Sequence, residues 1–556
     1  MTLGPQSQLS PEEAAQAAAF TRGRYAVRDS LLIFLVAMIA FTFALTPEFV
    51  GFHARFAMFA QEMLRNGPTF FPTTYHRPYP DYPAASTFLI YLLSLPVGHV
   101  TPLTAIVPTA IASALILVVT YRIGATRSRQ WGLAAVLFAL LTVGFLSASR
   151  GITLDQYTSL VVVVSFYLVY SADGLGRRKR LWLLAPTWIF GFAFRGPIGL
   201  MLPGAVVCSY YLWHRRWRPL ALAAVLAGIL LGLCLAGLLA AAKVEGGEAF
   251  VRTVLDAQIT GRMQGRGEAV TYYWYRCFAS YALAYPLAII VVACRARDML
   301  RRSSSDNDLL GSLVLWTLVV LAAMSIPAAK KMRYMLPIVP AISLIASYLI
   351  VEVSPQGVLS AIKRLFLGLC SWLAAGMAVA VLIIFLVAWR IQPSWKAPWL
   401  STLAALALLA ALSAGSHRRW IDHRANALGT LVIAAAAFVV LHIGIVDPIS
   451  YSQERTRPFV SDVEALYERD PGTLVFFRVH PDAEGIKFMV NLSKPLVPRF
   501  LDSVDELREL PGPLHVVMKE QVFRSMPADD TKQMRLLGRG KIGHADFVIL
   551  AMDKQA

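Results

Sequence analysis

Residues 102–147, PLTAIVPTAIASALILVVTYRIGATRSRQWGLAAVLFALLTVGFLS, decide the architecture. An apolar run reaches Tyr121, a loop carrying Arg122, Arg127 and Arg129 interrupts it, and a second apolar run follows from Trp131. A helix needs about 20 apolar residues to cross a bilayer, so each run is a candidate span. A basic loop between two spans is held on the cytoplasmic side, because Lys and Arg are retained there.

The same alternation extends in both directions. Basic loops recur at 177–180, 214–218, 295–302, 363–364 and 417–424, on the same side as 121–129. About thirteen apolar runs emerge, near 30–47, 102–121, 131–148, 157–171, 181–194, 197–213, 219–241, 278–294, 309–326, 335–352, 366–389, 398–415 and 426–446. An odd number of spans puts the N-terminus inside and the C-terminus outside. The N-terminal residues are polar and Ala-rich, with Arg22, Arg24 and Arg28 before the first run. They read as a cytoplasmic tail ahead of a retained span.

Composition agrees: 57% of residues are hydrophobic, 15% are charged and the mean hydropathy is +0.56. The net charge of +18 follows from the retention loops and their contact with anionic lipid, so it calls for no nucleic-acid partner. The five cysteines lie in or beside apolar runs without metal-binding spacing, which argues against a disulfide framework or a zinc site.

Three segments depart from the span-and-loop pattern. The outer segment 48–101 contains TPEFVGFHARFAMFAQEMLRNG, whose Phe52, Phe56, Phe59 and Met63 recur at helical spacing and suggest an interfacial stripe. Its continuation FFPTTYHRPYPDYP is too rich in proline for a regular helix. ASTFLIYLLSLPVGH is short for a span and reads as re-entrant or interfacial. The outer segment 242–277 ends in TYYWYR. From about 450, TLVFFRVH, KFMVNLS, PLHVVMK and DFVILAM read as strands, and SDVEALYER and DSVDELREL as helices capped by Ser461 and Asp502. The chain thus divides into a cytoplasmic tail (1–29), an all-α polytopic membrane domain (30–447) and a small soluble α/β domain on the outer side (448–556).

Chemistry-bearing residues gather in the outer segments. Arg55 offers a bidentate fork suited to phosphate. Glu62, seven residues on, either orients Arg55 or is exposed. Asp81 is a turn carboxylate or a substrate contact. Asp155 opens a span as a helix cap or as a functional carboxylate at a cavity. Arg195 sits in a short outer hairpin, where a charge is costly without an anion. Lys330, Lys331 and Arg333 place three cations on the outer side, as a headgroup anchor or a phosphate-binding edge. His53, His76 and His99 with Asp81 have no metal-ligand spacing, so no metal site is assigned.

Taken in order, these pieces resemble the ArnT-like branch of the GT-C glycosyltransferases, relatives of the protein O-mannosyltransferases. The resemblance rests on Arg55 followed by Glu62-Met63-Leu64 and Asn66-Gly67, then Asp81-Tyr82-Pro83, Thr153-Leu154-Asp155, Phe194-Arg195-Gly196-Pro197 and Lys330-Lys331-Met332-Arg333-Tyr334-Met335-Leu336-Pro337. It covers about two-thirds of the chain, and the run of thirteen or so spans and the outer C-terminal domain match it too.

The resemblance implies a GT-C membrane fold and transfer of a sugar from a polyprenyl-phosphate donor, at the periplasmic face of a bacterial inner membrane, to a lipid A-like, glycan or protein acceptor. It implies Arg55, Arg195, Lys330, Lys331 and Arg333 at the donor phosphate. Glu62, Tyr82, Gln258, Arg262 and Tyr334 would contact substrate, and Asp155, Asp81 or Glu48 would serve as the catalytic carboxylate. No cofactor is required, although a divalent metal is compatible. The family's usual acidic residue in the first outer helix is replaced by Phe52, with His53 beside it and Glu48 one turn earlier, and Tyr82 stands where the family has lysine. Two other readings remain at this point: a flippase for lipid-linked sugars, or an inactive relative.

Overall fold

The structure, a computed structural model, describes residues 11–46, 48–49, 51, 53–75, 77–81, 84–174, 176–260, 268–302, 304–351, 357–391, 397–420, 424–494 and 496–552. Its first ten helices are α1 (Pro11–Thr42), α2 (His53–Asn66), α3 (Ala85–Ser94), α4 (Pro102–Ala125), α5 (Arg129–Leu140), α6 (Val143–Ser149), α7 (Leu154–Gly174), α8 (Leu184–Arg195), α9 (Pro197–Trp213) and α10 (Trp217–Leu255). Among the described residues, seven helices are long and apolar enough to cross a membrane, or nine if each of two bent pairs counts as one span.

Every expected apolar run has helix at its centre, but α8, α9 and 399–414 are short. In α7 the polar Asp155, Gln156 and Asp173 dilute the apolar stretch. The bends fall between α5 and α6, at 78°, and between the helices Tyr272–Ser280 and Ala284–Leu300, at 114°.

Local chemistry sets the helix ends. Thr101 and Thr104 form a reciprocal capping box at the start of α4, with Pro102 in the first turn, and Ser128 caps α5 through the Trp131 N–H at 3.1 Å. The α4–α5 hairpin closes because glycines face each other: a Cβ on Gly132 would stand 2.5 Å from the Tyr121 carbonyl oxygen. At that basic loop the buried Asp29 of α1 accepts two hydrogen bonds from Arg129, at 2.6 and 2.9 Å, and one from the Tyr121 hydroxyl at 2.6 Å. A bidentate pair of this kind fixes α1 against the hairpin.

The stripe of α2 is buried inside the protein and does not lie on a membrane surface. Phe56 and Phe59 join a core that includes Phe459, Phe476 and Phe488 from the C-terminal region. The proline-rich segment makes a two-stranded hairpin, β1 (Thr73–Thr74) and β2 (Arg77–Pro78). The helix expected to be short, α3, keeps Phe88, Leu92 and Leu93 exposed.

The C-terminal sheet has the order β4-β3-β5-β7-β6, with β3 (Thr473–Phe477), β4 (Arg499–Leu501), β5 (Leu514–Lys519), β6 (Met534–Ile542) and β7 (Ala545–Met552). β3 runs parallel to β4 and β5, whereas β7 is antiparallel to β5 and β6. Three of the four expected strands form. KFMVNLS instead holds the short helix Ile486–Met489, because Asn491 folds back on the Lys487 carbonyl and clasps Phe49 through two hydrogen bonds, at 3.2 and 3.0 Å. Strands β4 and β6 were not anticipated. Neither expected cap is used: the first helix starts earlier, at Arg457, with Ser461 inside it, and Ser503 rather than Asp502 caps Val504–Glu509.

Candidate functional site

Asp155 stands in the first turn of α7 and is buried. Arg195 ends α8, and its Nε lies 3.2 Å from Asp155 Oδ1. Arg333 enters from the tight turn Met332–Ile338, and its Nε lies 3.1 Å from Asp155 Oδ2. One carboxylate is thus divided between two guanidinium groups. A buried pair that lost one partner would leave an uncompensated charge, so each member holds the others in place. The ring of Tyr334 completes the cluster, 5.3 Å from the Arg195 guanidinium carbon and 5.8 Å from that of Arg333.

The local chain is built for this arrangement. Gly196, directly after Arg195, has φ +63°, and a side chain there would stand 2.8 Å from Gln258 Oε1. Only glycine combines that conformation with so close an approach. Gln258 Nε2 donates to the Asp81 carbonyl at 2.5 Å, so it joins the segment of Asp81 to its own, with Gly196 packed against it.

Two cavities meet at Arg195. The larger, about 1040 Å³, is lined by Arg77, Asp81, Asp256, Lys331, Tyr334 and Arg195, with Tyr75 and Tyr79 from the hairpin and Asp482 and Phe500 from the C-terminal region. The smaller, about 280 Å³, is lined by His53, Ser147, Thr153, Asp155, Arg195 and Arg333, together with Ser280, Tyr281 and apolar neighbours. Lys331 is held below the ordinary lysine range, first by partial loss of solvent and then by Arg333 and Arg195. Burial pushes the His53 imidazole down, aided by Arg333, against the hydrogen bond to Ile152. Burial pushes the Tyr75 and Tyr79 hydroxyls up, so they remain neutral hydrogen-bonding groups.

Several residues expected at the site have other work. Glu48 accepts the N–H groups of Thr456 and Arg457 at 3.1 and 3.0 Å, so it caps the helix Arg457–Arg469 and lies on neither cavity of the site. Glu62 accepts from Thr73 Oγ1 at 2.6 Å and from the Tyr75 N–H at 2.5 Å; it shapes the β1–β2 hairpin. Lys330 donates to the carbonyls of Glu268 and Pro327, which turns its ammonium toward backbone. Gln258 serves as the tie described above, one residue from the cavity wall.

Arg55 donates to the Tyr79 hydroxyl and to the Asp482 carbonyl, both at 2.7 Å, and so backs the large cavity. Tyr82 and Arg262, like Phe52 and His76, lie outside the described residues. Sequence reasoning missed Asp256, Asp482 and Phe500 as cavity residues, and saw His53 only as a metal candidate. No local motif marks Asp482 or Phe500, which arrive from the far end of the chain. Among the described residues no three His, Cys, Asp or Glu side chains gather as a metal site.

The fold has known counterparts. The whole fold superimposes on the crystal structure of ArnT from Cupriavidus metallidurans bound to undecaprenyl phosphate, with a TM-score of 0.68 and 17% identity, over 95% of this chain and 97% of that one. The chain has the ArnT-like GT-C fold. The apo form of the same protein matches with a TM-score of 0.66.

Residues 81–239 match the family described as dolichyl-phosphate-mannose-protein mannosyltransferase. Among curated proteins, the undecaprenyl phosphate-alpha-4-amino-4-deoxy-L-arabinose arabinosyl transferase of Pseudomonas savastanoi pv. phaseolicola is 26% identical over 349 residues, 59% of this chain and 62% of that protein. The protein of the same name from Pseudomonas aeruginosa is 28% identical over 317 residues, 54% of this chain and 55% of its own length. The matched region thus spans less than two-thirds of these ArnT-like relatives.

Proposed function

We propose that this ArnT-like protein is an inverting glycosyltransferase that moves a sugar from a polyprenyl-phosphate donor to an envelope acceptor, a lipid A-like molecule, a glycan or a protein. The observation that carries the reading is the Arg195–Asp155–Arg333 cluster at the junction of the two cavities, with Asp155 and Arg195 buried and Arg333 partly exposed. Preorganised cations of this kind stabilise a phosphate as it leaves, and the fixed carboxylate keeps both guanidinium groups aimed.

Arg195, Lys331 and Arg333 bind the donor phosphate, with Tyr334 beside them and Arg55 holding the cavity wall. The acceptor oxygen attacks the anomeric carbon, the bond from that carbon to the phosphate oxygen breaks, and the polyprenyl phosphate leaves with the electron pair. Asp81, on the wall of the large cavity, takes the proton of a hydroxyl acceptor. Asp155 is a positioning residue in this scheme, because both its oxygens already meet arginine.

The protein is a multi-span membrane protein; its placement in a bacterial inner membrane with a cytoplasmic N-terminus and a periplasmic C-terminus belongs to the proposal. So does the division into a tail (1–29), a membrane domain (30–447) and an outer domain (448–556), which the C-terminal sheet between Thr473 and Met552 supports.

The test is donor turnover. Purified protein is supplied with radiolabelled polyprenyl-phosphate sugars and with lipid A-type, glycan and protein acceptors. Label should pass to an acceptor with inversion and release polyprenyl phosphate. Folded protein that transfers from none of these donors refutes the reading.

A further inference from the structure

The small cavity has a charge balance that bears on which sugar is transferred. Its volume, about 280 Å³, lies just below the range of roughly 300–1,000 Å³ usual for ligand pockets, which suits a single sugar ring. Its lining holds two guanidinium groups, Arg195 and Arg333, against one carboxylate, Asp155. That carboxylate is engaged by both arginines. His53 adds no anion: its Nδ1 faces the backbone of Ile152, 2.9 Å from the N–H and 3.2 Å from the carbonyl oxygen, and an imidazole is neutral or cationic in either tautomer. The remaining polar groups include the hydroxyls of Ser147, Thr153 and Ser280.

Asp81, Asp256 and Asp482 line the large cavity and not the small one. The outer stretch 261–267, GRMQGRG, contains two arginines and no carboxylate. Among the described residues the small cavity therefore presents hydroxyls, an imidazole and net positive charge. Among the described residues of its lining, an ammonium group placed there would face two cations and a single carboxylate that both arginines already hold, and like charges juxtaposed at a binding surface are strongly disfavoured.

We propose that the sugar transferred by this chain carries no ammonium group: it is a neutral, hydroxyl-bearing monosaccharide seated in the small cavity while its phosphate meets Arg195. This rests on the donor reading above. It sets the chain apart from the curated relatives, whose names specify a 4-amino-4-deoxy sugar.

The test compares three ligands on the full-length protein in lipid nanodiscs: undecaprenyl phosphate, its arabinose conjugate and its 4-amino-4-deoxyarabinose conjugate. The two conjugates differ by a hydroxyl against an ammonium. The neutral conjugate should bind at least about tenfold more tightly than the amino conjugate at neutral pH. Equal or tighter binding of the amino conjugate overturns the proposal while leaving the donor reading intact. If undecaprenyl phosphate itself fails to bind, the donor reading falls and this proposal falls with it. Ser147→Asp, which adds a carboxylate to the lining, should shift the ratio toward the amino conjugate. A folded variant with an unchanged ratio places the sugar elsewhere and overturns the assignment.

Discussion

Arg333 Nε and Asp155 Oδ2 stand 3.1 Å apart, joining the turn before one buried helix to the first turn of another. Because Arg195 takes the second oxygen, loss of the carboxylate sets two guanidinium groups against each other. Asp155→Asn should therefore lower thermal stability as well as turnover. Breaking a buried pair costs about 3–5 kcal/mol. Arg333→Ala should lower kcat by roughly 10²–10³, the usual cost of one transition-state donor. In a double-mutant cycle the two changes should be strongly non-additive. Additive losses would mean that Asp155 and Arg333 act separately.

Lys331 gives the site an alkaline limit. Its folded value lies below that of a free lysine, so it loses its charge earlier as pH rises. Charging it in the folded state costs stability at pH values below the folded value. That cost disappears above the unfolded one. Donor binding runs the other way, weakening as pH rises through the folded value. Lys331→Arg keeps the charge and should move the alkaline fall of kcat/KM upward. An unmoved profile would remove Lys331 from phosphate binding.

Glu48 should matter to stability and not to chemistry. Its carboxylate caps the helix Arg457–Arg469 from a distant segment. Glu48→Ala should cost about 1 kcal/mol, as the loss of an N-cap does, with kcat unchanged. A large drop in kcat in a stable variant would return Glu48 to the catalytic candidates.

What could be read from the chain depended on distance in sequence. The apolar helices were legible because hydropathy and loop charge are local properties, although among the described residues seven to nine, rather than thirteen, are long and apolar enough to span. Asp155, Arg195 and Arg333 were legible because each sits in a short motif at a helix end, although nothing local showed that the three meet. Glu62, Lys330, Gln258 and Glu48 carry plausible chemistry, but their partners decide their roles, and those of Gln258 and Glu48 lie 177 and 408 residues away. The stripe of α2 had the right period and the wrong partner: an apolar helical face looks the same whether it meets lipid or a sheet. Asp482 and Phe500 reach the large cavity only because the C-terminal region folds back over the hairpin, where Tyr75 donates to the Pro481 carbonyl at 3.0 Å.

The orientation follows from loop charge and has a direct check. An alkaline phosphatase fused after residue 556 should be active, and one fused after Arg180 should be silent. The reverse pattern would put the large cavity on the cytoplasmic side and remove a periplasmic donor from consideration.

Of the three carboxylates expected to do the chemistry, the structure ties Asp155 to two arginines and Glu48 to a helix end. Asp81 remains on the wall of the large cavity, near the charged groups that flank Lys331. Asp81→Asn keeps the shape and removes the charge, so it separates proton transfer from packing. With a hydroxyl acceptor, kcat should fall by about 10²–10⁴, the usual contribution of a positioned base, while donor affinity holds. Asp256→Asn and Asp482→Asn, on the same cavity, are the matched controls and should retain turnover. If Asp81→Asn transfers at full rate, the acceptor enters as an anion such as a phosphate, which needs no base. The replacement of the family's acidic residue by Phe52 would then have a chemical reason.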